Sequence, residues 1–144
     1  MKKILILLSA LSIVSFADLS ETNGVVTDSE TNLAWQNNYS DNNGNMKSAL
    51  WSTALAYCKD LDLDGTGWRL PNIKELTTIM DDTSTNSSKT FPKLTLVQSS
   101  NYWTSTTYSS DSNFAWVLNF NTGSHDRKEK TNSDNKVICV RGGR

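Results

Sequence analysis

The sequence predicts an α+β fold, with two short helices set against antiparallel strands and joined by long polar loops. Three observations predict it. Apolar residues recur at helical spacing through Ala54, Leu55, Cys58 and Leu61, and a second helix start is written into Pro71-Asn72-Ile73-Lys74-Glu75. The last third breaks into short strand-forming runs separated by clusters of Ser, Asp, Asn and Gly. Ahead of both helices, Gly24-Val25-Val26 and Leu33-Ala34-Trp35-Gln36 flank a polar turn over 27–32, as the arms of a hairpin do.

Residues 1–17 have the form of a signal peptide. Lys2 and Lys3 precede an apolar run over 4–14, and Ser15-Phe16-Ala17 puts small residues where a signal peptidase reads, so cleavage is expected after Ala17. The run is shorter than the roughly 20 residues of a spanning helix, and no later segment is as apolar, so no membrane insertion is expected after processing. No Cys follows Ala17, which argues against a lipid anchor. Residues 18–144 are then a single exported domain, periplasmic or secreted, long enough to bury a core.

After the hairpin, residues 37–47 are rich in Asn, Asp and Gly and read as a surface loop. The first helix is expected to start at a Ser52 or Thr53 cap and run to about Asp60, turning Cys58 inward. Pro71 cannot donate a backbone hydrogen bond and keeps Leu70 extended, while Asn72 and Glu75 have the spacing of a capping box. That second helix should reach about Met80 and bury Ile73, Leu76, Ile79 and Met80. A second polar loop follows over 81–89. Strands are expected over 102–107, 114–121, 125–130 and 136–141. In the second of them Trp116, Leu118 and Phe120 should face the core, with Asn119 and Asn121 facing water. Val137-Ile138-Cys139-Val140 is apolar on both faces, as a central strand would be.

The formal charge of −1 becomes −3 once Lys2 and Lys3 leave with the leader, so no global positive field exists for phosphate backbones and nucleic acid is not an expected partner. Mean hydropathy is −0.46, lowered more by Asn, Ser and Thr than by charge, and five Trp favour an ordered chain. In an exported chain Cys58 and Cys139 are expected to bond each other. The other reading is a reactive thiol pair or metal site, for which neither a CxxC spacing nor a His cluster is present.

Several runs, in order, resemble one family. They are Asp28-Ser29-Glu30-Thr31-Asn32-Leu33-Ala34-Trp35-Gln36, Ala56-Tyr57-Cys58, Trp68-Arg69-Leu70-Pro71-Asn72-Ile73-Lys74-Glu75-Leu76, Tyr102-Trp103-Thr104-Ser105-Thr106, Phe114-Ala115-Trp116-Val117 and Val137-Ile138-Cys139-Val140-Arg141. Together they resemble the Lcl C-terminal domain family, bacterial domains named after the end of a collagen-like adhesin. The likeness extends from about Gly24 to Arg141 and departs from the family at Asn32, where a Gly is usual; Asn tolerates the left-handed conformation that Gly would supply. The resemblance implies a C-type-lectin-like fold, with two helices on a twisted antiparallel sheet, terminal strands close together, and a disulfide from the first helix to the last strand.

Asp60, Asp62 and Asp64 ahead of Gly65 have a calcium-loop spacing, but position nine of such a loop is Trp68 and position twelve is Pro71 where a Glu belongs. The plainer reading packs Leu61 and Leu63 and leaves the acids in water. Neither Glu-Pro-Asn nor Trp-Asn-Asp occurs, so the sugar-chelating site that a true lectin would carry is missing. No cofactor beyond such calcium is expected. His125 is the only histidine, unaccompanied by a triad order or zinc spacing, and reads as a surface strand residue rather than a base. A formylglycine-generating-enzyme-like catalyst, a more distant relative by fold, would need free active-site cysteines.

Binding is the stronger reading. Ser105, Tyr108, Asn113, Asn119, Asn121, His125, Arg127 and Lys128 are the candidate ligand residues, aromatic, amide and hydroxyl groups that can stack on and hydrogen-bond a sugar or peptide. Trp103 and Trp116 are expected to be core. Arg127, Lys128 and Lys130, with Arg141 and Arg144 nearby, can form a basic patch for sulfated or carboxylated glycans, against a plainer solvated hairpin offset by Asp126 and Glu129. Arg69 is expected to pair with a carboxylate inside the fold. The sequence thus points to a non-enzymatic recognition module for a glycan or surface protein, with a structural or self-assembly module as the alternative; no motif fixes the oligomeric state.

Overall fold

A computed structural model of the protein describes residues 18–84 and 87–143, so the expected leader and its cleavage site lie outside the described residues. The order is β1 (Leu19–Thr22), β2 (Val25–Asp28), β3 (Leu33–Gln36), α1 (Trp51–Asp60), α2 (Ile73–Thr78), β4 (Asn101–Thr107), β5 (Phe114–Asn119), β6 (His125–Glu129) and β7 (Val140–Gly142). The fold class is α+β. There are two antiparallel sheets rather than the one expected, ordered β1-β2-β3-β7 and β4-β5-β6.

Residues 136–142 explain the division. Lys136 donates its N–H to the Asn101 carbonyl and accepts from Trp103, so the segment starts against β4. It then crosses to the other sheet, where Val140 pairs with Trp35 of β3 on one side and exchanges backbone bonds with Arg69 on the other. A segment shared by two sheets is covered on both faces, which is why Val137, Ile138, Cys139 and Val140 are all fully buried. Only its last three residues form the ladder strand, against the six expected.

β1 was not foreseen, since Leu19-Ser20-Glu21-Thr22 has no apolar alternation to announce it. It is held by the turn Asn23-Gly24, both at positive φ (53° and 76°), the two-residue type I′ connection that matches strand twist. At the start of β3, Asn32 adopts φ 55°, the left-handed conformation anticipated for it.

α1 begins at Trp51 with no side-chain cap; Ser52 and Thr53 sit exposed within it. Tertiary bonds fix its start instead, since Lys130 accepts from the Trp51 N–H and Thr104 accepts from the Trp51 indole. α2 has the capping box in both directions, but it stops at Thr78 because Met80 is drawn into a bridge with Thr90. Leu76 and Ile79 are buried as expected, and Ile73 and Met80 are half-buried against the same core.

Two apolar clusters fill the molecule, and β5 feeds both. Leu118 and Phe120 join Trp35, Leu76 and Tyr102, whereas Ala115 and Val117 join Cys58, Trp68 and Trp103. The expectation of one dry and one wet face is therefore corrected: α2 covers part of one side, and the region around α1 covers the other. The stretch over 37–47 also differs from a plain surface loop, because Asn37, Tyr39 and Met46 are buried. The Asn37 amide donates to the Glu21 carboxylate and to the Lys93 carbonyl, which ties the loop down.

Cys58 and Cys139 are joined by a disulfide of 2.05 Å, with Cα atoms 5.3 Å apart. This bond links α1 to the residue just before β7, and both sulfurs lie in the core.

Arg69 pairs with Glu75 through two 2.7 Å bonds, but at the surface rather than inside: 42% of the Arg69 side chain and 19% of the Glu75 side chain are accessible. Glu75 also accepts from the Asn72 N–H. Partial burial pushes the Glu75 carboxyl up, yet the Arg69 and Asn72 bonds outweigh it and hold it below the usual range. A depressed folded-state value contributes stability that is present above the ordinary carboxylate range and lost as pH falls through the depressed value. Glu75→Gln should therefore cost up to about 1 kcal/mol at neutral pH, with the difference from wild type vanishing in acid, as urea melts at several pH values will show.

Candidate functional site

Of the five tryptophans, four are committed to the fold. Trp35 and Trp103 are fully buried, Trp68 is buried with its indole N–H bonded to the Leu63 and Gly65 carbonyls, and the Trp51 indole bonds Thr104. Trp103 donates to the Ala49 carbonyl; Trp35 is the one buried side chain among the described residues whose polar atom has no partner. Trp116 differs from all of them. It is half-buried, belongs to neither core cluster, and its indole N–H has no hydrogen-bond partner among the described residues.

The backbone explains this exposure. On β5, Phe114, Trp116 and Leu118 point to one face; Leu118 packs into the cluster that holds Leu76 and Ile79, whereas Trp116 joins neither cluster. β6 places Arg127 directly opposite Trp116. After β4 the chain turns back through Tyr108, whose N–H donates to the Phe114 carbonyl, and this brings its ring to the same face. The Tyr108 and Trp116 rings meet edge to face at 5.5 Å and 79°, and the Arg127 guanidinium lies 5.0 Å from the Tyr108 centroid. Two aromatic rings and a cation thus share one surface, and neither the Tyr108 hydroxyl nor the guanidinium is bonded to another described residue. A shallow depression of about 450 Å³ adjoins it, lined by Phe114, Arg127, Lys128, Glu129, Thr131 and Asn132.

The predicted ligand residues divide. Tyr108, Arg127 and Lys128 gather at this end of the hairpin, and exposed Asn113 lies beside them, accepting from the Lys130 N–H. Lys128 is engaged with Asp126 at 2.8 Å, a pairing that, with the Arg127 N–H, holds the Asp126 carboxyl below its usual range. Asn119, Asn121 and His125 sit toward the turn end: His125 is two residues, about 7 Å, from Arg127 along β6, and Asn119 is three residues, about 10 Å, from Trp116 along β5. Asn119 bonds Asn101 and caps the turn by accepting from the Asn121 and Thr122 N–H groups. His125 is exposed, with Nε2 3.1 Å from the Thr77 hydroxyl. Ser105 is half-buried, its N–H given to the Pro71 carbonyl.

The expected basic patch also divides. Lys130 lies 3.9 Å over the Trp51 ring and bonds Thr107, whereas Arg141 stacks on Trp68 and binds Asp64 through its carboxylate and its carbonyl. Arg144 lies outside the described residues. The expectation that Trp116 is core is corrected; its alternation with Leu118 and Phe120 was readable, but not that it is left half-buried and outside both clusters.

The three acids of the calcium-like run separate in the same way. Asp60 and Asp62 line a groove of about 410 Å³ beside α1, together with Asp41, Lys47 and Tyr57, and Asp64 turns toward Arg141 and Asn23. Among the described residues no three His, Cys, Asp or Glu side chains are gathered to hold a metal. In that groove the Tyr57 hydroxyl accepts from Gln36, and burial, resisted by that bond, pushes it up to about 12.

No helix among the described residues is long and apolar enough to cross a membrane. A search of curated proteins returned no match. Residues 24–141, which include every strand pair except β1 with β2, both helices, the disulfide and the Trp116 surface, match the Lcl C-terminal domain, an adhesin-like end domain. On that match, the chain belongs to the Lcl C-terminal domain family.

Proposed function

We propose that the protein is an exported, non-enzymatic recognition module, periplasmic or secreted, that holds a glycan or a cell-surface protein on the Tyr108, Trp116 and Arg127 surface, within a C-type-lectin-like arrangement of its two helices and two sheets. The observation that carries this reading is Trp116, a half-buried indole outside both cores whose N–H has no partner among the described residues, with a cation directly across the strand. Aromatic faces take up the apolar face of a sugar or a side chain, and the free N–H, hydroxyl and guanidinium fix its orientation. Two facts support the non-catalytic part: both cysteines are consumed in the bridge, and His125 stands on the surface against Thr77 rather than against an acid.

The test is a profile of glycans and surface proteins, with and without calcium. Arg127→Ala should weaken carboxylated or sulfated ligands about tenfold at low salt and less at high salt, as a partly screened charge-assisted contact would. Unchanged binding at low salt removes Arg127 from the surface. Binding should survive chelation; its loss would return Asp60, Asp62 and Asp64 to consideration as a calcium turn. A flat profile accompanied by concentration-dependent oligomers would favour the structural, self-assembling alternative.

A further inference from the structure

We propose that β1 is a pairing edge for a second copy of this chain, which joins two four-stranded sheets into one eight-stranded sheet across a twofold axis. β1 ends its sheet, with β2 on one side only. The Asn23-Gly24 turn makes Thr22 and Val25 the hydrogen-bonded pair that closes the hairpin, so the backbone groups of Thr22 and Ser20 face β2. The Asp18 carbonyl, which accepts from the Ser29 N–H at 3.3 Å, obeys the same alternation. The N–H and C=O groups of Leu19 and Glu21 must therefore point away from the sheet, and no described residue bonds them.

The molecule treats its edges differently. β6 presents His125-Asp126-Arg127-Lys128-Glu129, a charged edge that resists strand addition, and the far side of β7 is closed by the Arg69 bridge to Val140. β1 carries one charge in four residues, without Lys, Pro or a bulge. Glu21 stays exposed, but its carboxylate is held by the Asn37 amide at 3.0 Å. A partner strand thus meets exposed main chain and small polar side chains.

Hydrogen-bond alternation selects the partner and the register. Outward residues must face outward residues, which sets Leu19 opposite Glu21 of the partner subunit, Ser20 on the axis, and Glu21 opposite Leu19 of the partner subunit, with four main-chain bonds in all. A register with the two Glu21 residues opposed would place like charges together. The contact is self-complementary, as a twofold dimer requires, and it carries two Trp116 surfaces on one body, so that multivalent ligands bind with avidity. The inference stands independently of which ligand that surface takes.

Glu21→Pro tests it, because the ring removes an outward N–H and leaves the bonds to β2 intact, at the cost of the Asn37 contact, which Glu21→Ala controls for. For the processed chain, its N-terminus read by mass spectrometry, sedimentation equilibrium up to about millimolar concentration should show the mass doubling, and Glu21→Pro should raise the dimer dissociation constant at least about tenfold relative to Glu21→Ala, both variants still melting cooperatively. Leu19→Pro should act in the same way and replaces it if Glu21→Pro does not fold. Hydrogen exchange on the unaltered chain reads the same edge, the Leu19 and Glu21 amides slowing as dimer forms. A monomeric mass throughout, undiminished dimers in the Pro variants, or a dimer in which those two amides exchange unchanged would each overturn the proposal.

Discussion

Replacing Cys58 and Cys139 together by Ser should lower the unfolding free energy by about 4 kcal/mol, because the bridge closes a loop of 81 residues and so constrains the unfolded chain. For a domain of this size that corresponds to a melting temperature lower by roughly 12–20 °C. Two features raise the expectation. Both positions are fully buried, so each introduced hydroxyl needs a partner the core does not offer, and the bridge joins elements that otherwise meet only through packing. Cys139 also gives its N–H to the Gln36 side chain, which in turn bonds Tyr57 on α1, so loosening this corner disturbs a polar network reaching the surface. Chemical denaturation of the double variant, and of the wild type under reductant, measures the effect. A loss smaller than about 1 kcal/mol would show that the cores hold α1 in place without it.

The tryptophans supply the second large effect, through a contrast. Trp103→Ala empties a fully buried site and orphans the Ala49 carbonyl, so it should cost about 3–5 kcal/mol. Trp116→Ala removes a half-buried ring from outside both cores and should cost about 1 kcal/mol, mostly from the lost contact with Tyr108. Binding should respond in the opposite order: Trp103→Ala, where folded, keeps its ligand, and Trp116→Ala loses it. Residue type treats these two alike; Trp103 faces the cluster on the α1 side, whereas Trp116 faces the other side and joins neither cluster.

What the sequence made legible follows the strength of local chemistry. The capping box at Asn72 and Glu75, the hairpin around residues 27–32 and the Cys58 to Cys139 pairing were readable because each rests on short-range rules or on a count of two. β1 was not, since its formation depends on the Asn23-Gly24 turn and on bonds from a neighbouring strand rather than on its own composition. The start of α1 was misread for a similar reason: carbonyls of Lys130 and Thr104, distant in sequence, take the role assigned to a local cap. The split of the last third into a sheet of its own, with residues 136–142 crossing between sheets, likewise follows from long-range pairing.

The candidate surface was half legible. Tyr108, Asn113, Arg127 and Lys128 were named from residue type and come to one end of the hairpin, where strand pairing sets Arg127 opposite Trp116 and turns Lys128 to the other face, opposite Ala115. Asn119, Asn121 and His125 carry the same chemistry but fall at the turn end, where Asn119 is spent on local backbone groups. Arg141 was grouped with the basic residues by charge alone, although its partners are Trp68 and Asp64. Missing from the list was Trp116, the residue on which the surface is built.

The central claim, that the half-buried Trp116 indole is the contact a ligand makes, is tested most directly by measuring wild-type and Trp116→Ala affinities side by side for whichever glycan or surface protein the wild type captures. The account predicts at least about a tenfold weaker complex for Trp116→Ala, with its melting temperature within a few degrees of wild type. Equal affinity in the two proteins, or a wild type that captures neither class of ligand, would contradict it.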